Sequence, residues 1–259
     1  MDSFKLHETM ISKNQLKLVK ALKLKKKREE NALFVAEGSK TVSDILDSDL
    51  EIMHLYADEQ WISKHSIPEA VPYTVIDERS LQQLSFLKTA QEVLAVVHMP
   101  KKTEVLSSDR LILALDGVRD PGNMGTIIRL ADWFGVSQVI CSNDCVDLYN
   151  PKTVQATMGS IARVSVRYTD LSEDLQAKKV EGYKCYSAVL GGENMYTMPF
   201  DEKLILIMGN ESNGVRPEVM ALTDKHITIP DFGSGAIDSL NVATACSVIL
   251  SEIRSRSFR

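Results

Sequence analysis

The spacing of apolar residues divides the chain into alternating strand-like runs and helical stretches. Leu16, Val19 and Leu22 recur at helical spacing within KNQLKLVKALKLKKKR (Lys13–Arg28), which predicts one amphipathic helix with a cationic face. ALFVAEG (Ala32–Gly38) is a buried-strand run, and TVSDILDS after it predicts a helix. IMHLYA (Ile52–Ala57), PYTVI (Pro72–Ile76) and EVLAVVHM (Glu92–Met99) predict three more strands, with SLQQLSFL a short helix before the last. PKKTEVLSSDR (Pro100–Arg110) is polar and led by proline, so a domain boundary is placed there, separating 1–103 from 104–259.

From Leu111 the alternation is cleaner. LILALD predicts a strand, TIIRLADWFG a helix closed by Gly135, SQVICS a strand, and PKTVQATMGS a helix opened by proline. ARVSVR, YKCYSAVL, KLILIMG and HITIP predict strands, and NVATACSVILSEIRSR a closing amphipathic helix. Strands alternating with helices imply an α/β fold whose mainly parallel sheet is covered on both faces. On the last helix, Val242, Ala245, Val248, Ile249 and Ile253 form an apolar face, read first as core and second as a dimer contact.

Composition narrows the class. With 259 residues, 44% hydrophobic and 25% charged, the chain can bury one large or two modest cores. No apolar run approaches the roughly 18 residues of a membrane span. The start, MDSFKLHETM, lacks a secretory apolar core. Cys141, Cys145, Cys185 and Cys246 fit neither a disulfide framework nor a metal knuckle, so reduced thiols, no metal and a cytoplasmic location are expected. The net charge of −5 hides an asymmetry: residues 1–28 hold nine Lys/Arg against Asp2 and Glu8, leaving the remainder strongly acidic. Lys13, Lys17, Lys20, Lys25, Lys26, Lys27 and Arg28 form either a solvated helix face or a phosphate-backbone contact for RNA.

Three stretches carry the candidate chemistry: LDGVRDPGNMGTIIRLADWFG, LIMGNESNGVRPE and ITIPDFGSGAIDSLNVATA. In each, an apolar run breaks into a Gly/Asn/Ser-rich loop and resumes as a helix, the arrangement that sets binding loops at the carboxyl ends of parallel strands. The glycines Gly117, Gly122 and Gly125 do not fit the dinucleotide fingerprint, which weighs against a Rossmann oxidoreductase, and no P-loop is present. Singly, Asn123, Ser239 and Asn241 read as caps and Arg129 as a surface residue. Capping does not explain their occurrence in this order.

In that order they resemble the three signature motifs of the SpoU/TrmH-type RNA ribose 2′-O-methyltransferases of the SPOUT superfamily. Asn123, Gly125 and Arg129 match the first motif; Gly209, Glu211 and Gly214 the second; Ile229, Pro230, Ser239, Leu240, Asn241 and Val242 the third. Asp231 and Ala243 stand where Met and Ser are common. The resemblance runs from Leu111 to Ile253. More weakly, residues 1–100 resemble the ribosomal-protein-like α/β substrate-binding domain that often precedes this catalytic domain.

The resemblance implies S-adenosylmethionine as cofactor, a trefoil knot in the SPOUT domain, and a homodimer acting on RNA, ribosomal RNA before transfer RNA. A non-catalytic RNA-binding protein of the same fold is the alternative. The cofactor would be held by Leu190, Gly191, Met208, Gly209, Ile229, Ser239 and Leu240. Arg129 would serve the ribose hydroxyl, Asn123 and Ser239 would orient it and the RNA backbone, and Glu211 would fix Arg129 or Asn241. Arginine keeps its proton above about pH 12, so Arg129 suits charge stabilisation better than proton removal.

Overall fold

The computed structural model describes residues 11–100, 110–233 and 239–256. The chain divides into two compact units, 1–103 with 149–162 and 104–148 with 163–259. Most of the Pro100–Arg110 stretch lies outside the described residues.

In the first unit, helices α1 (Lys13–Ala21), α2 (Lys25–Asn31), α3 (Ser39–Leu46), α4 (Glu59–Lys64) and α5 (Glu78–Leu84) surround strands β1 (Leu33–Glu37), β2 (Ile52–Ala57), β3 (Tyr73–Val75) and β4 (Val93–His98). The sheet order is β1-β4-β2-β3, with β2–β3 parallel and both pairs involving β4 antiparallel. All five β1 residues are buried because both faces of the strand are used. Leu33 and Val35 join Val19, Leu22, Leu81 and Leu84 in one cluster, while the Phe34 ring packs at a tilt on Tyr149 with centroids 4.8 Å apart. Tyr149 precedes α7 (Pro151–Thr157) and a 3₁₀ turn (Ser160–Ala162), so a segment from far along the chain completes this unit.

The basic stretch is two helices and not one. Ser12 caps α1 in a capping box, the chain breaks at Leu22–Leu24, and α2 starts at Lys25. Leu22 is drawn into the core at the break, and Arg28 turns inward to donate from Nη1 to the Leu22 and Lys23 carbonyls at 2.8 and 2.9 Å. Arg28 is only 2% exposed, so it leaves the set of RNA-contact candidates: its guanidinium seals the carbonyls that the break exposes. Lys13, Lys17, Lys20, Lys25 and Lys26 are exposed, and half-buried Lys27 pairs with Glu30 at 2.6 Å.

The second unit is built on strands β5 (Leu111–Leu115), β6 (Gln138–Ser142), β7 (Ser165–Thr169), β8 (Lys184–Asn194), β9 (Leu204–Met208) and β10 (Lys225–Thr228). Their order is β10-β8-β9-β5-β6-β7, and every neighbouring pair is parallel. The central strands β5, β6 and β9 are buried throughout, as an α/β sheet covered on both faces requires. Ile112, Ala114, Ile205 and Ile207 pack with Leu171 and Leu175 of α8 (Leu171–Val180) and Val219 of α9 (Pro217–Met220). α6 (Pro121–Trp133) and α10 (Val242–Arg256) lie against each other. Val242, Ile249 and Ile253 of α10 are buried, whereas Ala245 and Val248 are half-buried.

Two helices lacked an apolar signal and were not predicted. Both α4 and α8 are announced by an Asp cap: Asp58 accepts from Trp61 N at 2.6 Å, and Asp170 from Ser172 N at 2.9 Å. Capping also corrects α6, which begins at Pro121 and not Thr126. Asp120 accepts from Asn123 N at 2.8 Å with proline at the first turn, so Asn123 and Gly125 lie inside the helix.

Candidate active site

Parallel strands β5 and β9 end side by side, with Leu115 opposite Met208. Their loops are therefore neighbours, and polar side chains bind them together. The Asp116 carboxylate, fully buried, accepts from Arg216 backbone N and Nε, both at 2.7 Å, and pairs with an Arg216 terminal nitrogen at 2.6 Å. The carboxylate raises the Arg216 guanidinium above its ordinary range. Asn210 donates from Nδ2 to the Gly117 carbonyl at 2.7 Å, while its Oδ1 accepts from Ser212 N and Asn213 N. Asn210 and Gly214 also exchange two backbone hydrogen bonds of 2.9 Å. This tight turn needs the glycine at 209, because a Cβ there would sit 2.3 Å from the Gly214 carbonyl carbon.

The first loop is held from its other side. Gly117 N donates to Ser142 Oγ at 2.9 Å, and that hydroxyl donates to Asp144 at 2.7 Å. The Ser142 bond, and then Arg119, hold the Asp144 carboxyl below the usual range. In the same turn, hydrogen bonding from Cys141 and Ser142 brings the Cys145 thiol down to about 7 against the effect of burial.

A second set of bonds joins all three motif segments. Asn241 Oδ1 accepts from Ala243 N and Thr244 N at 3.0 and 3.2 Å, capping α10. Its Nδ2 donates to Asn123 Oδ1 at 2.9 Å, and Asn123 Nδ2 donates to Glu211 Oε1 at 2.8 Å. The direction of this chain is forced. With Oδ1 of Asn241 committed to helix N–H groups, only its amide nitrogen can face Asn123, and only the Asn123 nitrogen then remains for Glu211. At the other end of the same helix pair, Arg254 donates to the Phe134 and Gly135 carbonyls at 2.6 and 2.7 Å, so α6 and α10 are locked at both ends.

Beside this chain lies a cleft of about 710 Å³. Of the residues named for the cofactor, Leu190, Met208, Gly209, Ile229, Ser239 and Leu240 line it; Gly191 is not among the lining residues. Of the five expected catalytic residues, Asn123, Glu211 and Asn241 are brought together and Ser239 stands on the cleft wall. Arg129 is exposed and, among the described residues, makes no hydrogen bond or ion pair. Glu211 was expected to fix Arg129 or Asn241; it accepts instead from Asn123. Arg129 sits about 9 Å farther along α6 than Asn123, given the helical rise. Asp116, Asn210 and Arg216 were missed. The one signal in the sequence was an Asp directly ending an apolar run, LILAL, where a buried carboxylate demands a partner.

Residues 110–251 match the model of the SpoU rRNA methylase family, and residues 13–95 match that of an MRM3-like substrate binding domain. The chain belongs to the SpoU rRNA methylase family. This SpoU methylase is 31% identical over 245 residues to the 23S rRNA (guanosine(2553)-2′-O)-methyltransferase RlmP of Bacillus subtilis, covering 94% of this chain and 97% of that one. It is 32% identical over 160 residues to the 23S rRNA (guanosine-2′-O-)-methyltransferase RlmB of Neisseria meningitidis, covering 61% and 63%. Among solved structures, the SpoU methylase is similar to an rRNA methyltransferase of Sinorhizobium meliloti bound to AdoMet, with TM-score 0.84, 29% identity, and 96% and 97% coverage. A protein of Porphyromonas gingivalis assigned to the TrmH family of RNA methyltransferases gives TM-score 0.87 at 34% identity, covering 96% and 100%.

Proposed function

We propose that this SpoU-family protein methylates a ribose 2′-hydroxyl of ribosomal RNA, using S-adenosylmethionine. The observation that carries the reading is the directed Asn241–Asn123–Glu211 chain, which gathers all three motif segments beside the cleft. The cleft's size suits a small-molecule site of about 300–1,000 Å³, and its walls combine apolar side chains with backbone at Gly209, where only glycine fits. Similarity to RlmP across nearly the whole chain, both units included, favours ribosomal over transfer RNA.

In this reading Leu190, Met208, Gly209, Ile229, Ser239 and Leu240 hold the cofactor, which supplies a sulfonium-activated methyl group when bound. Arg129, exposed and uncommitted among the described residues, meets the RNA and stabilises charge developing on the ribose oxygen or an adjacent phosphate. Ser239 positions the nucleotide from the cleft wall. The reading includes the family's knotted threading of the carboxy-terminal segment, a homodimer, and a cytoplasmic site of action. Trp133 supports the dimer: it is 83% exposed on the same face of α6 as Arg129, a position suited to a second copy of the chain.

Incubating the protein with labelled S-adenosylmethionine and total RNA from a strain lacking it tests the reading. Label is expected on one ribose of the large ribosomal RNA, found by mapping the methylated nucleotide; absence of label from every RNA refutes the enzymatic reading. Arg129→Ala should lower the transfer rate about 10²–10³-fold. Its affinity for S-adenosylhomocysteine, measured by calorimetry, should stay within about threefold of wild type.

The first unit presents the RNA through the exposed lysines of α1 and α2. Lys17→Gln is expected to lower the slope of log affinity against log salt by about one unit. Arg28→Ala should instead cost about 2 kcal/mol of stability in urea melts, through its lost hydrogen bonds, and leave that slope unchanged.

A further inference from the structure

We infer that Glu211 accepts the proton of the ribose 2′-hydroxyl, an inference that rests on the methyl-transfer reading above. Among the described residues that line the cleft, Glu211 is the one ionisable side chain. Its polar companions there, Asn210, Ser212, Asn213, Thr228 and Ser239, have no useful basicity. Arg129 cannot serve, because a guanidinium does not give up its proton in a protein. The amides of Asn123 and Asn241 are likewise neutral. The carboxylate is therefore the Brønsted base that the described cluster contains.

Geometry makes that carboxylate more than a surface charge. An exposed Glu ordinarily samples several rotamers, yet Asn123 Nδ2 holds Oε1 at 2.8 Å. The chain behind Asn123 runs to backbone N–H groups at the start of α10 and donates in one direction only, toward Glu211. It thus anchors the side chain. Oε2 makes no hydrogen bond among the described residues, which leaves one oxygen of the anchored carboxylate free beside the cleft.

The step balances without any further reagent. Glu211 Oε2 takes the proton as the ribose O–H bond breaks, and the freed electron pair forms the bond from O2′ to the methyl carbon. The methyl–sulfur pair returns to sulfur, so the sulfonium becomes a neutral thioether and nothing is oxidised or reduced. Arg129 offsets the negative charge on the oxygen during transfer, and Glu211 passes its proton to water afterwards.

The test uses Glu211→Gln in the full chain, since a glutamine oxygen still accepts from Asn123 while the base is gone. Single-turnover methyl transfer should fall about 10²–10⁴-fold, the usual contribution of a general base. Affinity for S-adenosylhomocysteine by calorimetry should stay within about twofold of wild type, at an unchanged melting temperature. In Glu211→Ala, added formate should restore part of the rate in proportion to its concentration. The proposal is overturned if Glu211→Gln keeps its rate within about fivefold of wild type, or if its loss tracks lost cofactor affinity. It is also overturned if formate has no effect on the alanine variant. Failure of the wild-type protein to methylate any ribose would instead defeat the underlying reading.

Discussion

Arg216→Met is expected to destabilise the protein by about 3 kcal/mol, the lower end of the range for breaking a buried ion pair. The reason is asymmetric burial: the Asp116 side chain is fully buried while that of Arg216 is 41% exposed. Methionine preserves much of the packing volume but leaves Asp116 with only the backbone N–H of residue 216. The lower end applies because water can reach part of the guanidinium and, in the variant, part of the gap. Urea unfolding of the two single variants and the pair measures this directly. Asp116→Asn combined with Arg216→Met should recover much of the loss, giving a coupling of about 1–3 kcal/mol in the double-mutant cycle. Additive losses would show that the two residues do not act as a pair. Because the same pair ties the first motif loop to the second, Arg216→Met should also slow methyl transfer by disturbing the approach of Asn123 to Glu211.

Gly209→Ala should weaken S-adenosylhomocysteine binding about 10–100-fold, or about 1.4–2.8 kcal/mol. The added methyl would meet the Gly214 carbonyl carbon at 2.3 Å and Val215 N at 2.4 Å. Both are backbone atoms of one tight turn, so no side-chain rotation relieves the clash and the loop must move. That loop carries Glu211 and lines the cleft. Gly214→Ala is the control. Gly214 has φ +68 but open space where a Cβ would stand, so alanine costs about 1–2 kcal/mol of backbone strain and creates no overlap. Calorimetry should therefore separate the two, with Gly214→Ala losing stability but much less cofactor affinity. Equal losses of affinity would mean that close approach at Gly209 is not what shapes the cleft.

Much of the fold was legible because burial leaves its mark on the order of apolar residues. LILAL, VICS and LILIM read as buried strands, and they are β5, β6 and β9, covered on both faces. Helices with few apolar positions were harder to see. α8 buries only Leu171 and Leu175, and its clearest mark is the Asp170 cap. The basic stretch misled for the opposite reason: Leu16, Val19 and Leu22 keep helical spacing up to the break, and nothing local says that Arg28 turns inward. That choice depends on two carbonyls exposed by a bend and on a core waiting for Leu22.

The candidate site divides in the same way. Motif order alone singled out Asn123, Arg129, Glu211, Ser239 and Asn241, because residue type and local spacing are properties of the chain. Which of them touch is a property of the packed strands and helices. Asn123 and Glu211 are 88 positions apart and Asn123 and Asn241 are 118 apart, yet both pairs are hydrogen-bonded. Parallel strand order sets β5 beside β9 and so makes neighbours of the first and second loops. The packing of α6 on α10 brings in the third. Residue type and order were enough for the family, the α/β class and the residues that could do the chemistry. It took the packed fold to make Arg28 a structural cation, to bind two loops together through Asp116 and Arg216, and to end the amide chain on Glu211. Hydrophobic periodicity acts over neighbouring residues, whereas the partner of a buried charge or amide is chosen by whatever the fold sets against it.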